Sequence, residues 1–349
     1  MAKPEKIPAY SRVKAELVRF ITENQLQKHD LLPSEWQLAA MHRVSVGTVR
    51  RALNDLVTEN VIYRRHGQGT FVSPRSRKKK ILLVPPNRPE AFRAYNDHVE
   101  FFLGALDEAN AADLACVPEM VDPDDFLANA GDLPTVYPEV EGVIFFRRFS
   151  HFEQVRSELL RYKLPVCYYG GIPHWDQSQD IMKIFHNEET IARLVAGRLF
   201  AQGINRVGIA LLDNNPINLT RAAMLEKVAS DYPITVRRLL AGEIADIRML
   251  RLAAAEAEAF FVPCAFAAIQ LIQKLERVLR LRVPDDIRVI SVDNMPAAEL
   301  LRPGLTTVDL CNYENGKLCM RLFAEGIASG EGLTRQMDGT LRLVVRESC

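Results

Sequence analysis

The 349-residue sequence lacks the motifs by which many enzyme sites are recognised. It has no G-x-x-x-x-G-K-[ST] phosphate loop, no G-x-G-x-x-G turn, no H-E-x-x-H helix and no G-x-S-x-G elbow. Its seven histidines are scattered and show no metal-ligand spacing. We therefore expect no enzyme activity, no cofactor and no bound metal.

Paired cysteines and long apolar runs are also missing. None of the six cysteines forms a C-x-x-C pair, and Cys116, Cys167 and Cys264 lie in apolar runs typical of a buried core. No leader-like segment precedes them, and no apolar run approaches the length of a membrane span. The sequence predicts a cytoplasmic, nucleoid-associated protein with reduced thiols and no membrane contact.

Net charge is absent as well, because 44 Lys+Arg balance 44 Asp+Glu. The balance is uneven along the chain. Through Lys80 there are 16 Lys+Arg against 7 Asp+Glu, and the remaining residues hold 28 against 37. A basic head on an acidic body is typical of a protein whose head binds nucleic acid.

The head has the spacing of two short, capped helices. Ser34 and Gln37 form a capping box, and Leu38 and Met41 are expected to share one face of the helix that follows. Cationic side chains, with Arg43 the last of them, suit the carboxyl end of this helix.

Ser45 caps the second helix. Its apolar residues follow at i, i+3, i+4 and i+7 and form one stripe: Val49, Ala52, Leu53 and Leu56. Arg50 and Arg51 lie off the stripe and are expected to face outward. An earlier helix over residues 10–24 would complete a three-helix core.

A change of period after the second helix predicts a β-hairpin wing. Residues 61–63 and 69–72 are β-prone, and residues 64–68 form a basic turn in which Gly67 can take a positive φ. The segment thus predicts a winged helix-turn-helix, in which one helix and one loop approach DNA. The simpler alternative is that these arginines form a solvated face.

Residues 9–73 resemble the DNA-binding domain of the GntR family of bacterial transcription regulators. The matching elements, in order and spacing, are Leu32-Pro33-Ser34-Glu35, Val44-Ser45, Thr48-Val49-Arg50 with Ala52-Leu53, and Gly67-Gln68-Gly69-Thr70-Phe71-Val72. The resemblance implies that Arg50 reads the major groove and that the wing around His66 enters the minor groove.

Two positions depart from the family's pattern, which often has arginine where this chain has Trp36 and Val46. Trp36 either packs against a DNA sugar or covers the edge of the core. The predicted DNA-binding residues are Ser34, Glu35, Ser45, Thr48, Arg50, Arg51, Arg64, Arg65, His66, Gly67 and Gln68.

A proline, serines and five cations fill the segment that follows the wing. We expect residues 1–73 to form the DNA-binding domain, 74–80 a basic linker, and 81–349 an effector-binding and dimerisation domain.

Short apolar runs alternate with helical stretches through this last domain. Strands are expected at 81–84, 143–146, 165–169, 207–210, 260–262 and 289–292. Helices are expected at 95–111, 188–202 and 265–280. The alternation predicts an α/β body of parallel sheets with helices on both faces, behind an α+β head. Ligands of such sheets bind beyond the carboxyl ends of the strands.

The body resembles the effector domain of the LacI/GalR family of sugar-responsive regulators. The strongest match is the stretch VPDDIRVISVDN at 283–294, followed at the family's distance by LTTV at 305–308. Weaker matches lie at 140–144, 164–166 and 203–208. The resemblance implies two Rossmann-like lobes of the periplasmic-binding-protein-like type I fold, joined by crossover segments and closing on a ligand.

The resemblance carries over the ligand site only in part. Arg221 and Asp293 match family residues that bond sugar hydroxyls, whereas Cys264-Ala265 and His186 replace other family ligands. Arginines near the cleft would suit a sugar acid or phosphosugar, unless Arg147 and Arg148 are surface charges and Arg221 forms a helix ion pair. The predicted effector-binding residues are Asn87, Arg88, Phe92, Arg147, Arg148, His186, Arg221 and Asp293.

The resulting hypothesis is a homodimeric transcription regulator, a repressor in its simplest form, that binds a double-stranded DNA operator and responds to a sugar or an anionic sugar derivative. The sequence leaves two alternatives open. In the first, the body has lost ligand binding and serves only for dimerisation. In the second, the body is a sugar-binding or enzymatic domain that carries a DNA-binding head.

Overall fold

The computed structural model describes residues 9–24, 26–59, 61–73, 80–84, 97–112, 114–118, 140–146, 152–171, 181–329 and 336–349. The chain divides into two compact units, Met1–Lys78 and Lys79–Cys349. We call them the head and the body. Most of the expected linker, residues 74–79, lies outside the described residues.

Three helices and a hairpin form the head. They are α1 (Ala9–Glu23), α2 (Glu35–His42), α3 (Val46–Thr58), β1 (Ile62–Arg65) and β2 (Gly69–Val72). The predicted apolar stripe of α3 is fully buried and packs against Val13 and Leu17 of α1. The predicted three-helix core is therefore confirmed.

Local hydrogen bonds fix where the head's helices begin. The Ser34 hydroxyl accepts from the Gln37 amide at 3.3 Å, and the Gln37 side chain accepts from the Ser34 amide at 2.8 Å. Ser45 caps α3 through the Thr48 amide at 3.2 Å. Arg43, at φ 52°, ends α2 in the left-handed region. These predicted caps are confirmed.

The expectation for Met41 was wrong. Leu38 is fully buried, but Met41 is 53% exposed, and Ala39 is the second buried residue of α2. Residues three apart on a helix differ by about 60° in direction. The core meets α2 on its Leu38–Ala39 side, so this offset carries Met41 past the edge of the core.

The wing has the predicted hairpin with a shorter turn. Arg64 and Arg65 belong to β1 and pair with Thr70 and Gly69, so they are not turn residues as expected. The turn is closed by the Gln68 amide bonding the Arg65 carbonyl at 3.0 Å. Gly67 takes the predicted positive φ, 71°.

Two six-stranded sheets define two lobes of the body. The first-lobe sheet has the order β4-β3-β5-β6-β7-β13, and every pair in it is parallel. Its strands are β3 (Lys80–Val84), β4 (Ala115–Pro118), β5 (Val140–Phe146), β6 (Val166–Gly171), β7 (Met182–His186) and β13 (Gln336–Asp338). Helices α4 (Asp97–Ala111), α5 (Phe152–Arg161) and α12 (Asn312–Ser329) pack on it.

The second-lobe sheet has the order β9-β8-β10-β11-β12-β14. Its strands are β8 (Arg206–Ala210), β9 (Thr235–Leu239), β10 (Ala259–Val262), β11 (Arg288–Val292), β12 (Thr306–Asp309) and β14 (Arg342–Val344). Its helices are α6 (Glu188–Ala201), α7 (Pro216–Ala229), α8 (Ala241–Ala245), α9 (Ile247–Glu256), α10 (Ala265–Lys274) with a π turn (Leu275–Leu279), and α11 (Pro296–Leu300). The expected parallel sheets are observed, with one antiparallel edge strand, β14, beside β12.

The chain passes between the lobes after β7, after β12 and after β13. The two predicted Rossmann-like lobes with crossover segments are confirmed. Because both lobes are built mainly of parallel strands, their carboxyl-terminal edges collect the loops that can hold a ligand.

Candidate functional site

One carboxylate joins two arginines on the surface of the head. Glu35 accepts from Arg50 Nε at 3.1 Å and Nη2 at 2.9 Å, and from Arg64 Nη2 at 3.0 Å. The contacts join the start of α2, the first turns of α3 and strand β1. The bonds from Arg50 to Glu35 raise the pKa of the Arg50 guanidinium. Both arginines are thus hydrogen-bonded to one carboxylate, and the three side chains together carry one net positive charge.

Two other predicted arginines lie against aromatic rings. The Arg51 guanidinium is 3.9 Å from the ring centre of Tyr10. Arg65 is 5.5 Å from the ring centre of Tyr63 and 5.7 Å from that of Phe71. Stacking of this kind restrains a charged side chain without neutralising it.

The remaining predicted residues of the head divide into caps and wing. Ser34, Ser45 and Thr48 are engaged in the helix caps, where the Ser45 and Thr48 hydroxyls are 2.9 Å apart. The turn residues His66, Gly67 and Gln68 are exposed. The structure therefore brings Glu35, Arg50 and Arg64 together and leaves the tip of the wing open to solvent.

A cavity of about 420 Å³ opens at the carboxyl ends of β10, β11 and β12. Its lining residues come from these loops, from the start of α12, from β14 and its flank, and from α4: Glu100, Cys264, Phe266, Asp293, Asn294, Met295, Pro296, Glu299, Asp309, Cys311, Asn312, Tyr313, Glu314, Arg342 and Arg346. Its volume lies within the range of cavities that hold small molecules.

The two arginines of this lining are already engaged. Arg342 donates to Asp309 at 2.8 Å, and this bond raises the pKa of the Arg342 guanidinium. Arg346 donates to the Asn294 side-chain oxygen and the Leu305 carbonyl, both at 2.9 Å. The lining also carries five carboxylates, so the described wall has an excess of negative charge.

Behind the cavity wall lies a buried charge cluster. Arg221 on α7 is 3% exposed and donates to Asp293 at 3.2 Å and to the Pro263 carbonyl at 2.7 Å. Its Nε is 3.4 Å from a Glu188 oxygen. Burial opposes the charge on Arg221, but the two carboxylates outweigh it and raise the pKa of the guanidinium. Asp293 lines the cavity, whereas Arg221 is not among the lining residues and holds Asp293 from behind.

Cys264 lines the cavity at the start of α10, and burial together with the Asp293 charge raises the pKa of its thiol. A protonated, buried thiol offers a ligand only weak hydrogen bonds. His186 instead bonds Tyr169 Oη at 2.8 Å, and Tyr169 donates to Asn312 at 2.6 Å. This chain of bonds ties β7 to the start of α12, where the chain crosses between lobes.

Residues 9–72 match the family described as "Bacterial regulatory proteins, gntR family", and residues 196–349 match the "Periplasmic binding protein-like domain". The chain carries a GntR-type DNA-binding domain and a periplasmic-binding-protein-like domain.

Curated relatives match the GntR-type domain. The HTH-type transcriptional repressor NagR of Bacillus subtilis (strain 168) is 42% identical over 71 residues, which are 20% of this chain and 29% of that protein. The arabinose metabolism transcriptional repressor of Geobacillus stearothermophilus is 33% identical over 79 residues, 23% of this chain and 22% of that protein. The chain thus matches less than a third of the length of either relative.

Solved structures show the same fold for the periplasmic-binding-protein-like domain. A transcriptional regulator CelR–cellobiose complex superposes with a TM-score of 0.65 at 19% identity and covers 91% of this chain and 100% of that one. A LacI family transcriptional regulator from Arthrobacter sp. FB24, in complex with lactose, gives a TM-score of 0.60 at 20% identity over 78% of this chain and 99% of that one.

Several predicted effector residues fall outside the described parts of the periplasmic-binding-protein-like domain: Asn87, Arg88, Phe92, Arg147 and Arg148. Sequence reasoning also missed residues that the structure places at the cavity or beside it, notably Glu188, Asp309 and Arg342. Asp309 could have been found from the sequence, because it is the carboxylate that directly follows the LTTV motif of β12. Nothing local marked Glu188 or Arg342.

Within the described ranges, no helix is both long enough and apolar enough to span a bilayer. The same ranges contain no group of three or more side chains that could hold a metal ion.

Proposed function

We propose that the chain is a DNA-binding transcription regulator rather than an enzyme, in its simplest form a repressor that acts at the nucleoid in the cytoplasm. The observation that carries the proposal is the combination of a winged helix-turn-helix, with exposed arginines on α3 and on the wing, and a two-lobed body with a cavity at its strand ends. The two curated relatives described above are named as repressors.

In this role Arg50 reads a base edge in the major groove. Its contact with Glu35 leaves further guanidinium N–H groups able to donate to a base or a phosphate. Arg64 and Arg65 follow the DNA backbone, and the exposed turn His66-Gly67-Gln68 enters the minor groove. Glu35 orients arginines instead of touching DNA, because both of its oxygens are occupied by arginines.

The effector we propose is a neutral, polyhydroxylated molecule of the sugar type. Asp293 offers a carboxylate at the cavity, and Arg221 holds it in place. The described part of the cavity wall carries more negative than positive charge, and Arg342 and Arg346 already bond to protein groups. Both observations disfavour the anionic sugar derivative that the sequence also allowed. The contributions of Arg88, Arg147 and Arg148 stay predictions.

A homodimer would present two heads to two operator half-sites about one helical turn apart. The outer face of α4 supports it, because Val99, Leu103 and Leu106 are exposed at a spacing that forms one stripe. A continuous apolar stripe on a surface helix is typical of a subunit interface.

The test for DNA binding starts from selection of a genomic operator by the full-length protein. Arg50→Ala should weaken operator binding about 5- to 150-fold and reduce the preference for operator over random duplex, since one bidentate base contact is lost. Fluorescence anisotropy with labelled operator and labelled random duplex measures both effects. Arg12→Ala, which removes an equal charge from α1, is the matched control and should change affinity little. Retention of full affinity by Arg50→Ala would contradict the assigned role.

A further inference from the structure

Trp36 is the most exposed of the large apolar side chains in the described head. It lies in the first turn of α2 and is 76% exposed. The core of the head closes without it, because Leu38 and Ala39 are the residues through which α2 is buried. Trp36 therefore does not cover the edge of the core, and its indole ring presents a large apolar surface to water.

Trp36 directly follows a residue of a positively charged cluster. Its neighbour in the chain, Glu35, accepts hydrogen bonds from Arg50 of α3 and from Arg64 of the wing. Both arginines are exposed, and their two charges exceed the single charge of Glu35. An exposed indole on the residue that follows Glu35 in the chain matches a polyanion with apolar parts, and duplex DNA combines phosphates with apolar deoxyribose rings.

We propose that Trp36 is a contact to the DNA backbone, with its ring packed on a deoxyribose and its Nε1–H donated to a phosphate. This inference rests on the DNA binding proposed above. In a helix-turn-helix the second helix enters the groove while the first crosses the backbone. Arg50 lies on the second helix of the pair and Trp36 at the start of the first, so the indole meets the sugar–phosphate chain and not the base edges.

A neutral contact of this kind has a thermodynamic signature that an arginine contact lacks. Trp36 displaces no condensed cation, so Trp36→Ala should leave the slope of log K against log salt unchanged. It should weaken binding to operator and to random duplex by the same factor, about tenfold, because backbone contacts carry no sequence information. Trp36→Phe keeps an aromatic ring and should retain part of the affinity. Arg64→Ala, in contrast, should lower the salt slope.

Fluorescence can observe the contact directly, because Trp36 and Trp175 are the two tryptophans of the chain. In full-length Trp175→Phe protein the emission comes from Trp36. Acrylamide should quench it strongly in the free protein and much less after saturation with duplex DNA. Trp36→Phe protein gives the response of Trp175 for comparison. Met41→Ala, which removes another exposed apolar side chain of α2, serves as the affinity control and should bind normally.

Each outcome decides the proposal. Equal losses on both duplexes, with an unchanged salt slope and protection of Trp36, support it. DNA binding by anisotropy with undiminished quenching of Trp36 would overturn it, and so would a loss confined to the operator, which indicates base recognition. If the wild-type protein binds no duplex DNA, both the proposed function and the proposed Trp36 contact are wrong. Since Trp36 is exposed, unchanged thermal melting of the variants confirms that folding is intact.

Discussion

Arg221 is a cation enclosed by protein, and its contacts explain why a charged group can lie behind the cavity wall. Glu188 and Asp293 come from different elements and meet at its guanidinium. Burying a charge is costly unless opposite charges and hydrogen bonds replace water, and these two carboxylates with the Pro263 carbonyl do so. The cluster fixes the Asp293 side chain that faces the cavity.

Arg221→Met should lower the free energy of unfolding by about 3–5 kcal/mol, because it leaves two buried carboxylates without their cation. Urea denaturation measures the loss. Arg193→Met on α6 is the control, since Arg193 and its partners Glu189 and Asp231 are exposed and such surface pairs contribute little to stability. Equal small losses in the two variants would contradict a structural role for the buried cluster.

Helices α4 and α12 pack tightly against each other at two glycines. A Cβ at Gly104 would lie 1.9 Å from the Tyr313 carbonyl oxygen, and one at Gly316 would lie 2.1 Å from the Phe101 carbonyl oxygen. Each glycine thus lies directly against the backbone of the other helix. This approach holds the crossover helix α12 on the first lobe and places its first residues at the cavity.

Gly316→Ala should destabilise the protein by about 1–3 kcal/mol, because backbone cannot yield as a side chain does. Urea denaturation with circular dichroism gives the free energy. Gly197→Ala in α6, where the nearest atom to an added Cβ is 3.9 Å away, is the control. That change should be neutral or stabilise by up to about 1 kcal/mol, since alanine favours helix over glycine. A neutral Gly316→Ala would show that the two helices can separate without cost.

For the whole molecule, the proposed function requires that the cavity and the head affect each other. If a ligand changes operator affinity by some factor, operator must change ligand affinity by the same factor. The hydrogen bonds from His186 to Tyr169 and from Tyr169 to Asn312 lie where the chain crosses between the lobes. Closure of the lobes would therefore change their geometry.

Calorimetry across neutral sugars, sugar acids and phosphosugars should find a neutral sugar-type ligand. That ligand should shift operator affinity at least about fivefold, with the reciprocal shift in its own affinity. Asp293→Ala should abolish the ligand response and leave operator binding intact. Binding of sugar acids alone would contradict the charge argument. No binding of any of these compounds would favour the alternative that the body only dimerises.

Much of the head could be predicted from sequence because its determinants are local. Caps at Ser34 and Ser45 act over three residues, and the stripe of α3 has the period of a helix. Edge strands were harder. β9 (Thr235–Leu239) and β14 carry polar residues, including Arg237 and Arg342, because an edge needs no continuous apolar run. β7 was missed because Lys183, which is buried, interrupts its apolar pattern.

The sequence by itself determined the two domain types, the capped helix pair, the wing and the central strands, since each depends on neighbours within a few residues. Only the tertiary structure decided which distant side chains meet. Arg221 and Asp293 bond to each other, and Glu35 bonds both Arg50 and Arg64; their roles in binding ligand and DNA stay predictions. Such pairings form when packing brings distant elements together, and no local pattern records them.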